Sequence, residues 1–512
     1  MSGQAPRLEG RPLSASAQRI VTDAGYFLGA SAIGSAVGLV RSMAIPLLFS
    51  PTQLGIWNLM NVVLGYAPNA HLGVLHGMNK AIPLLRGQGR AADVDALKDS
   101  ALWVCIVLGV LAAGGLWLAA SGMSAGVRSA LRVTSVAAFI QVLYTYQFCL
   151  LRGESRFALV SRGIVLGAVL GTVCVLGLAL LARNRLVGAL VGLAISVAVT
   201  TGFWFAGAGH TYARRIHWAW IGRAFRLGLP LMLIGLLDMV FLSADRWVVA
   251  GRLGVTATGY YALGIMASGL LGLVPNAFAQ VLYPFALTRI GETGDPRSLC
   301  SALKGSTTAL SAIMLVLISG AALALVPIVQ LFLPVYRPSL QVIQILLVGS
   351  FFLAFGSIPG QFVIAVDRQR LIPVFQVAGT LSALAVDYMT LRAGWGITGV
   401  AIGTVTGYAV YGLGVATVAA LYVFPRSRDA SWYLVSLLVP LALMVVGLAA
   451  AQYLIPSGTS AYTALGFAGA RMLLVLVVTL PALWFVARWN DVLAMLPLVS
   501  RLRNLWPWGS VP

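Results

Sequence analysis

Nine ionisable residues of this sequence lie within or at the ends of long apolar stretches. They are Arg41, His71, His76, Lys80, Asp238, Asp245, Arg246, Asp387 and Arg471. Keeping a charge inside an apolar segment is costly, so each of these residues is a candidate for function. A guanidinium binds phosphate and carboxylate groups through paired hydrogen bonds, whereas a carboxylate binds protons or cations. The expected chemistry is therefore the binding and release of a charged ligand.

Three of these residues form a set that predicts anion binding or gating. Positions 41 and 245 differ by 204, an offset that recurs elsewhere in the chain, and Arg246 follows Asp245 directly. Together with Lys80, this set is expected to bind an anionic substrate or to gate its passage. As a gate, Arg41 and Asp245 would pair in one conformation and separate in the other. The alternative is a buried ion pair that only locks two helices together.

The remaining ionisable residues have weaker signals. Asp238 is a candidate proton or sodium site, with a structural hydrogen bond as the alternative. His71 and His76 are five residues apart, do not share a helix face, and are expected to line a cavity rather than to form a pH switch or a metal site. Asp387 is expected to pair locally with Arg392.

Composition indicates the elements that position these residues. The chain of 512 residues is 59% hydrophobic and 9% charged, against about 25% charge in soluble proteins. Its apolar stretches are long enough to cross a bilayer core of about 30 Å. The net charge of +20 lies in short loops, which excludes a nucleic-acid-binding face. The four cysteines show neither disulfide nor metal-ligand spacing.

The hydropathy pattern predicts an all-α polytopic membrane protein. Lys and Arg concentrate in alternate loops, which places both termini in the cytoplasm. Residues 1–25 read as a cytoplasmic tail. Fourteen helices are predicted, at about 26–48, 54–77, 101–120, 131–151, 158–182, 187–209, 227–250, 258–285, 307–333, 339–365, 371–391, 396–424, 432–455 and 463–488.

An internal repeat organises these helices. Residues 50–59 (SPTQLGIWNL) resemble residues 254–263 (GVTATGYYAL), and residues 186–192 (LVGALVG) resemble residues 397–403 (ITGVAIG). The repeat predicts two six-helix lobes, 26–215 and 216–428, in a parallel pseudo-twofold arrangement. Residues 429–512 then hold helices 13 and 14 and a cytoplasmic tail. Transporters built in this way bind substrate between the two halves and rock them alternately.

Several segments resemble polysaccharide flippases of the MOP superfamily. They are residues 48–59, RLGLPL at 226–231, DRWVV at 245–249, residues 259–263, YP at 283–284 and GWGITGVAIG at 394–403. The resemblance extends in order over most of the chain. It implies movement of an undecaprenyl-pyrophosphate-linked oligosaccharide from the cytoplasmic to the outer leaflet of a bacterial inner membrane. It also implies a central cavity lined largely by helices 1, 2, 7 and 8.

The resemblance gives a role to four aromatic residues and suggests partners. Trp57, Tyr66, Tyr260 and Tyr261 could stack on sugar rings, or could serve as interface anchors and packing groups. The expected partners are the anionic lipid-linked oligosaccharide, the bilayer and, in the same pathway, a polysaccharide polymerase and glycosyltransferases.

Alternative functions remain on the same fold and outside it. A multidrug exporter would favour acidic cavity residues, whereas Arg41, Arg246 and Lys80 favour an anionic substrate; a peptidoglycan-precursor flippase is a nearer alternative. A membrane polymerase or glycosyltransferase would need paired carboxylates on a sizeable loop or domain, which the short loops do not offer. The protein is therefore expected not to be an enzyme. No Walker loop for ATP occurs, and no cofactor is expected.

Overall fold

The computed structural model describes residues 15–210, residues 216–454 and nine positions between 466 and 479. Within these residues the chain forms α-helices joined by short turns and 3-10 segments, without a strand. The predicted all-α membrane architecture is thus confirmed. Most of the predicted fourteenth helix, residues 1–14 of the predicted N-terminal tail, the C-terminal tail and the loop at 214–215 lie outside the described residues, whereas residues 15–25 of the predicted N-terminal tail form the start of the first helix.

The helices follow the predicted order. The first eight are α1 (Ala15–Leu48), α2 (Pro51–Tyr66), α3 (Val74–Gly87), α4 (Ala91–Ala119), α5 (Ala125–Gly153), α6 (Phe157–Leu181), α7 (Arg185–Ala208) and α8 (Trp218–Arg252). The next seven are α9 (Val255–Leu271), α10 (Leu273–Thr293), α11 (Cys300–Phe332), α12 (Leu340–Ala365), α13 (Leu371–Arg392), α14 (Gly396–Val423) and α15 (Ser427–Leu454). Twelve segments of the described chain are long and apolar enough to cross a membrane.

The predicted second helix is wrong as a single rod. It is divided into α2 and α3 by a 3-10 segment at Ala67–His71 that contains Pro68. Leu72 and Gly73 then adopt left-handed backbone conformations before α3 begins. Gly73 is required there because its backbone also lies against that of Gly228, where a Cβ would clash. A proline near the start of a helical segment favours such an interruption, since it lacks an N–H donor.

The predicted eighth helix is interrupted as well. α9 ends at Leu271, Gly272 intervenes, and α10 begins at Leu273. At the repeat offset of 204, Gly272 is equivalent in sequence to Pro68, which lies at the start of the first interruption. The two copies of the repeat therefore share a broken helix at equivalent positions, which the sequence comparison alone did not show.

The first compact unit contains the described residues up to 48 and those between 60 and 233. Its main core lies where α3, α4 and α5 meet, around Leu75, Met78, Leu97, Tyr146 and Leu150. A second cluster joins α5, α6 and α7 around Trp204, whose indole N–H donates to the Leu159 carbonyl at 3.1 Å.

The second compact unit contains residues 49–59 and the described residues from 234 onwards. α12 lies at its centre against α9, α10, α11 and α14, and α13 packs on α14. The start of α2 belongs to this unit, although it precedes most of the first unit in sequence. The predicted lobe boundaries at residues 215 and 428 stay a prediction.

A helix pair closes each copy of the repeat in the same way. In the first unit, Gly188 and Gly192 of α7 lie against the Leu178 and Cys174 carbonyl groups of α6. In the second unit, Gly399 and Gly403 of α14 lie against the Thr390 and Asp387 side chains of α13. The glycines are needed because a side chain at these positions would overlap the preceding helix.

Candidate functional site

Asp245 lies at a buried junction of three helices in the second unit. It extends from α8 with 6% of its surface exposed. The Tyr261 hydroxyl of α9 donates to its Oδ2 at 2.7 Å, the Thr404 hydroxyl of α14 lies 3.4 Å from the same atom, and the Arg246 amide donates to Oδ1 at 2.8 Å. No cation of the described chain lies within salt-bridge distance of this carboxylate. Neutral donors thus hold Asp245.

Asp387 is buried close to this junction, and the prediction for it is wrong. It is 2% exposed, and its Oδ1 has no hydrogen-bond partner among the described residues. Arg392 instead places its guanidinium over the Tyr388 ring at 4.5 Å. The two residues are five apart on α13, so they point to different faces of the helix. Asp387 borders a narrow crevice together with Asp245, Thr404 and Tyr408.

A larger cavity lies beside the Asp245 junction, within the second unit. Its volume is about 380 Å³, in the range of small-molecule sites. Asp238 and Arg246 of α8 are the acidic and basic residues among its described lining residues. The other polar lining groups are Ser268, Asn276, Ser350, Ser357, Tyr408 and Tyr411, from α9, α10, α12 and α14.

The two charged residues of this cavity have different hydrogen bonding. Gln376 of α13 donates to Asp238 Oδ1 at 2.8 Å, so one carboxylate oxygen is fixed and the carboxylate still borders the cavity. The Nε atom of Arg246 is buried and has no hydrogen-bond partner in the described chain. The Arg246 side chain is partly buried and borders the cavity, so an anionic or hydroxylated ligand there would match its guanidinium.

Aromatic rings form one wall of the same cavity. Phe241 of α8 lies between Tyr408 and Tyr411 of α14, with ring centroids 5.5 and 5.0 Å apart. The two tyrosines are three residues apart and therefore project from one side of α14. The sequence predictions overlooked them, together with Asn276 and Gln376. Two tyrosines at this spacing in an apolar helix were the available signal.

The four aromatic residues that were predicted to stack on sugars or to pack have different surroundings. Tyr261 is fully buried in the Asp245 junction, and Trp57 is 7% exposed and packs edge-on against Phe49. Tyr260 makes an edge contact with Tyr336 at 6.3 Å, and Tyr66 ends α2, partly buried. A buried ring cannot stack on a ligand in this conformation, so Tyr261 and Trp57 act here as packing groups.

The prediction that His71 and His76 lie on different helix faces assumed an unbroken helix and is wrong. The rings of His71 and His76 are in edge-to-face contact, with centroids 5.3 Å apart. They meet because the 3-10 segment and the left-handed turn change the direction of the chain between them. His71 is 1% exposed, and its Nδ1 accepts a hydrogen bond from the Gly73 amide at 2.9 Å. Lys80 is exposed on α3.

Arg41 lies in the first unit, on α1. It is partly buried, and its guanidinium nitrogen Nη1 would be only 2.9 Å from a Cβ placed on Gly171 of α6. Gly171 therefore makes room for this cation between two helices. Arg41 and Asp245 belong to different units, and the predicted gate between them stays a prediction.

The two copies of the repeat meet within the second unit, at the first turns of α2 and α9. The hydroxyls of Thr52 and Thr256 are 2.8 Å apart, and these positions are equivalent in the repeat. A Cβ on Gly55 would overlap the Val255 carbonyl, and a Cβ on Gly259 would overlap the Pro51 carbonyl. Since Pro51 and Val255 also differ by 204, the contact is reciprocal about the pseudo-twofold axis. We call this contact the α2–α9 seam.

Comparison with known proteins agrees with this architecture. Residues 48–335 match the family described as polysaccharide biosynthesis protein. No curated protein matches the chain.

Solved structures share the fold. The lipid II flippase MurJ, in an inward closed conformation, has a TM-score of 0.65 at 15% identity, covering 90% of this chain and 98% of its own. An inward-facing multidrug resistance MATE transporter of the MOP superfamily has a TM-score of 0.62 at 18% identity, covering 76% of this chain and 95% of its own. A MOP superfamily transporter from Pyrococcus furiosus, described as having a binding pocket of reversed polarity, scores 0.53 at 18% identity and covers 79% and 95%. Similarity at these identities shows the fold alone.

Proposed function

The chain belongs to the polysaccharide biosynthesis protein family, and on that premise we propose that it is a flippase for an undecaprenyl-pyrophosphate-linked oligosaccharide. The lipid-linked oligosaccharide would move from the cytoplasmic to the outer leaflet of a bacterial inner membrane, with both chain termini in the cytoplasm. The protein itself is a multi-pass membrane protein with the fold of MOP-superfamily transporters and flippases.

The observation that carries the proposal is the position of Arg246. Arg246 borders a cavity inside a bundle of membrane-length helices, and its Nε lacks a partner among the described residues. A cation at such a depth is costly unless an anion uses it, and a guanidinium matches the geometry of phosphate oxygens. The pyrophosphate of a lipid carrier supplies that anion.

The repeat supports a transport mechanism. Proteins built from parallel repeats expose a binding site alternately to the two sides of the membrane. The α2–α9 seam joins equivalent turns of the two repeats through close backbone contacts at two glycines and one hydroxyl pair. Such a contact separates at small cost, so the seam suits a contact that forms and breaks in each cycle.

A flipping assay tests the proposal. The full chain would be reconstituted into liposomes that carry an undecaprenyl-pyrophosphate-linked oligosaccharide in both leaflets, and an external glycosidase would remove the accessible half. With the protein present, we expect the protected half to become accessible. Protein-free liposomes and a zwitterionic phospholipid probe serve as controls. If the protected half stays protected with well-reconstituted protein, the proposed function is wrong.

A second test uses cells from which the gene for this chain has been deleted. The lipid-linked oligosaccharide should then accumulate in the inner leaflet and remain resistant to external glycosidase, and the intact chain should restore export. Accumulation of a free oligosaccharide or of the sugar donors would instead indicate an enzyme acting before or after the flipping step.

A further inference from the structure

The charges and hydrogen-bonding groups of the 380 Å³ cavity differ from those of a simple anion site. Asp238 and Arg246 oppose one another in sign, and the described lining residues add no further acidic or basic group. A simple anion would be repelled by Asp238, and a simple cation by Arg246. A ligand part that offers hydroxyl donors to one residue and phosphate oxygens to the other satisfies both.

From this arrangement we infer that the cavity is a sugar subsite, which binds the sugar attached directly to the lipid pyrophosphate. The inference rests on the proposed function and adds the recognition of the first sugar to it. Arg246 contacts the phosphate, and the sugar ring extends towards Asp238. An ionised carboxylate only accepts hydrogen bonds, so it selects the hydroxyl side of the ligand and excludes a second phosphate.

The polar lining of the cavity fits a polyhydroxylated ring. Gln376 fixes Asp238 Oδ1. Ser268, Ser350 and Ser357 donate their hydroxyl protons to carbonyls of their own helices, at 3.1, 2.6 and 2.7 Å, which leaves their oxygens as acceptors. Asn276 is exposed and offers both a donor and an acceptor. The cavity therefore presents donors and acceptors in the mixture that sugar hydroxyls require.

The aromatic wall fits the other face of a sugar. The C–H groups of a pyranose form an apolar surface, and the partly exposed ring of Tyr411 offers an aromatic surface in the same cavity, supported by the buried rings of Phe241 and Tyr408. Tyrosine combines an apolar ring with a hydroxyl that can pair with the ligand. A hydrophobic cation could also use these rings together with Asp238, but Arg246 in the same cavity opposes it.

Binding of defined lipids to the full purified chain tests the subsite. The probes are undecaprenyl pyrophosphate and the same lipid bearing one glucose, one galactose or one N-acetylglucosamine, with the protein held in a sugar-free detergent. We expect at least one sugar-bearing lipid to bind about tenfold more tightly than the bare lipid, a difference of about 1.4 kcal/mol. The readout is the Kd from tryptophan fluorescence.

Two variants test whether the higher affinity for the sugar-bearing lipid comes from this cavity. Asp238→Asn and Tyr411→Leu should each reduce the advantage of the sugar-bearing lipid to about twofold or less, while the Kd for bare undecaprenyl pyrophosphate changes little. Asp367→Asn is the matched control, because that carboxylate is exposed and outside the cavity, and it should keep the full advantage. Arg246→Ala should weaken both kinds of lipid equally. Elution as a single monodisperse species establishes that each variant is folded.

The outcomes separate the subsite from the proposed function. Equal affinity of the intact chain for bare and sugar-bearing lipids would overturn the subsite and leave a pyrophosphate flippase standing. An advantage that survives in both cavity variants would place sugar recognition elsewhere. No binding of any of the four lipids would overturn the subsite and the proposed function together. Binding of tetraphenylphosphonium in their place, lost in Asp238→Asn, would assign the cavity to hydrophobic cations.

Discussion

Asp245 and Arg246 are adjacent in sequence, yet their side chains have opposite surroundings. Three donors from α8, α9 and α14 satisfy the Asp245 carboxylate, whereas the Arg246 Nε finds no partner among the described residues. Successive residues of a helix differ in direction by about 100°, so one points into the junction and the other into the cavity. The first suits a structural role and the second a binding role.

Replacing Arg246 tests the binding role. Arg246→Ala should reduce export of the cognate glycan at least tenfold, because the cavity loses its guanidinium and an anionic ligand is left facing Asp238. The measurement is surface glycan in cells that lack the chromosomal copy and express the variant at the normal level.

Arg252→Ala is the control for this experiment. Arg252 ends the same helix, is exposed, and lies outside the cavity lining. It should export at the level of the intact chain. Normal export by a well-expressed Arg246→Ala protein would refute the role of Arg246 in substrate binding.

Tyr261 is predicted to stabilise the fold through Asp245. Tyr261→Phe removes the 2.7 Å hydrogen bond to Asp245 and the 2.9 Å hydroxyl pair with Thr404, and leaves Oδ2 with only the weaker contact to Thr404 at 3.4 Å. A buried acceptor that loses its partner costs about 1–3 kcal/mol, so the melting temperature of the purified protein should fall. Tyr388→Phe, at an exposed ring that is 53% accessible, should leave it unchanged. Equal melting of the two variants would show that the bond contributes no stability.

At the scale of the helices, the two copies of the repeat share the same structural features. Each copy has one broken helix, α2–α3 and α9–α10, and each closes with a glycine-mediated helix pair. The α2–α9 seam brings the equivalent starts of two of these helices together. Glycine at 55 and 259 is needed because the two backbones approach more closely than a side chain permits.

A cross-link across the seam should stop transport. Thr52→Cys with Thr256→Cys, in a chain whose four native cysteines are replaced by serine, places two thiols where hydroxyls now lie 2.8 Å apart. A disulfide is therefore geometrically feasible. If the seam opens in each cycle, oxidation should abolish export and a reductant should restore it.

The single-cysteine variants control for this experiment. Thr52→Cys or Thr256→Cys alone should export equally with and without oxidant. Normal export by a fully cross-linked protein, with the cross-link shown by a mobility shift after cleavage in the loop between the two positions, would show that the seam stays closed during transport.

At the scale of the whole molecule, the distribution of Lys and Arg predicts the orientation in the membrane. Reporter fusions at the N-terminus, at the C-terminus and in the loop around Arg214 and Arg215 should all report a cytoplasmic location. A fusion between α4 and α5, at residues 120–124, should report the opposite side and serves as the control. An external signal from the 214–215 loop would contradict the count of fourteen helices.

The sequence alone determined the class of protein, the order of the helices and the existence of a repeat. These follow from hydropathy, since a bilayer requires helices of nearly fixed length, and from short motifs that recur at a constant offset. The motifs were sufficient for the polysaccharide biosynthesis family, which the match over residues 48–335 confirms. The ionisable residues of α8 were also visible, because charges are rare in apolar segments.

Only the tertiary structure decided which of those residues share a site. The interruption after Tyr66 brought His71 and His76 into contact against the expectation from helical spacing. Packing of α9 and α14 on α8 gave Asp245 its donors, and the same packing placed Tyr408, Tyr411 and Asn276 around Asp238 and Arg246. A hydropathy pattern indicates whether a segment faces lipid or protein, but it does not identify the residues that it contacts. Partners that lie 138 or 159 residues apart, such as Gln376 for Asp238 and Thr404 for Asp245, are set by the folding of the whole chain.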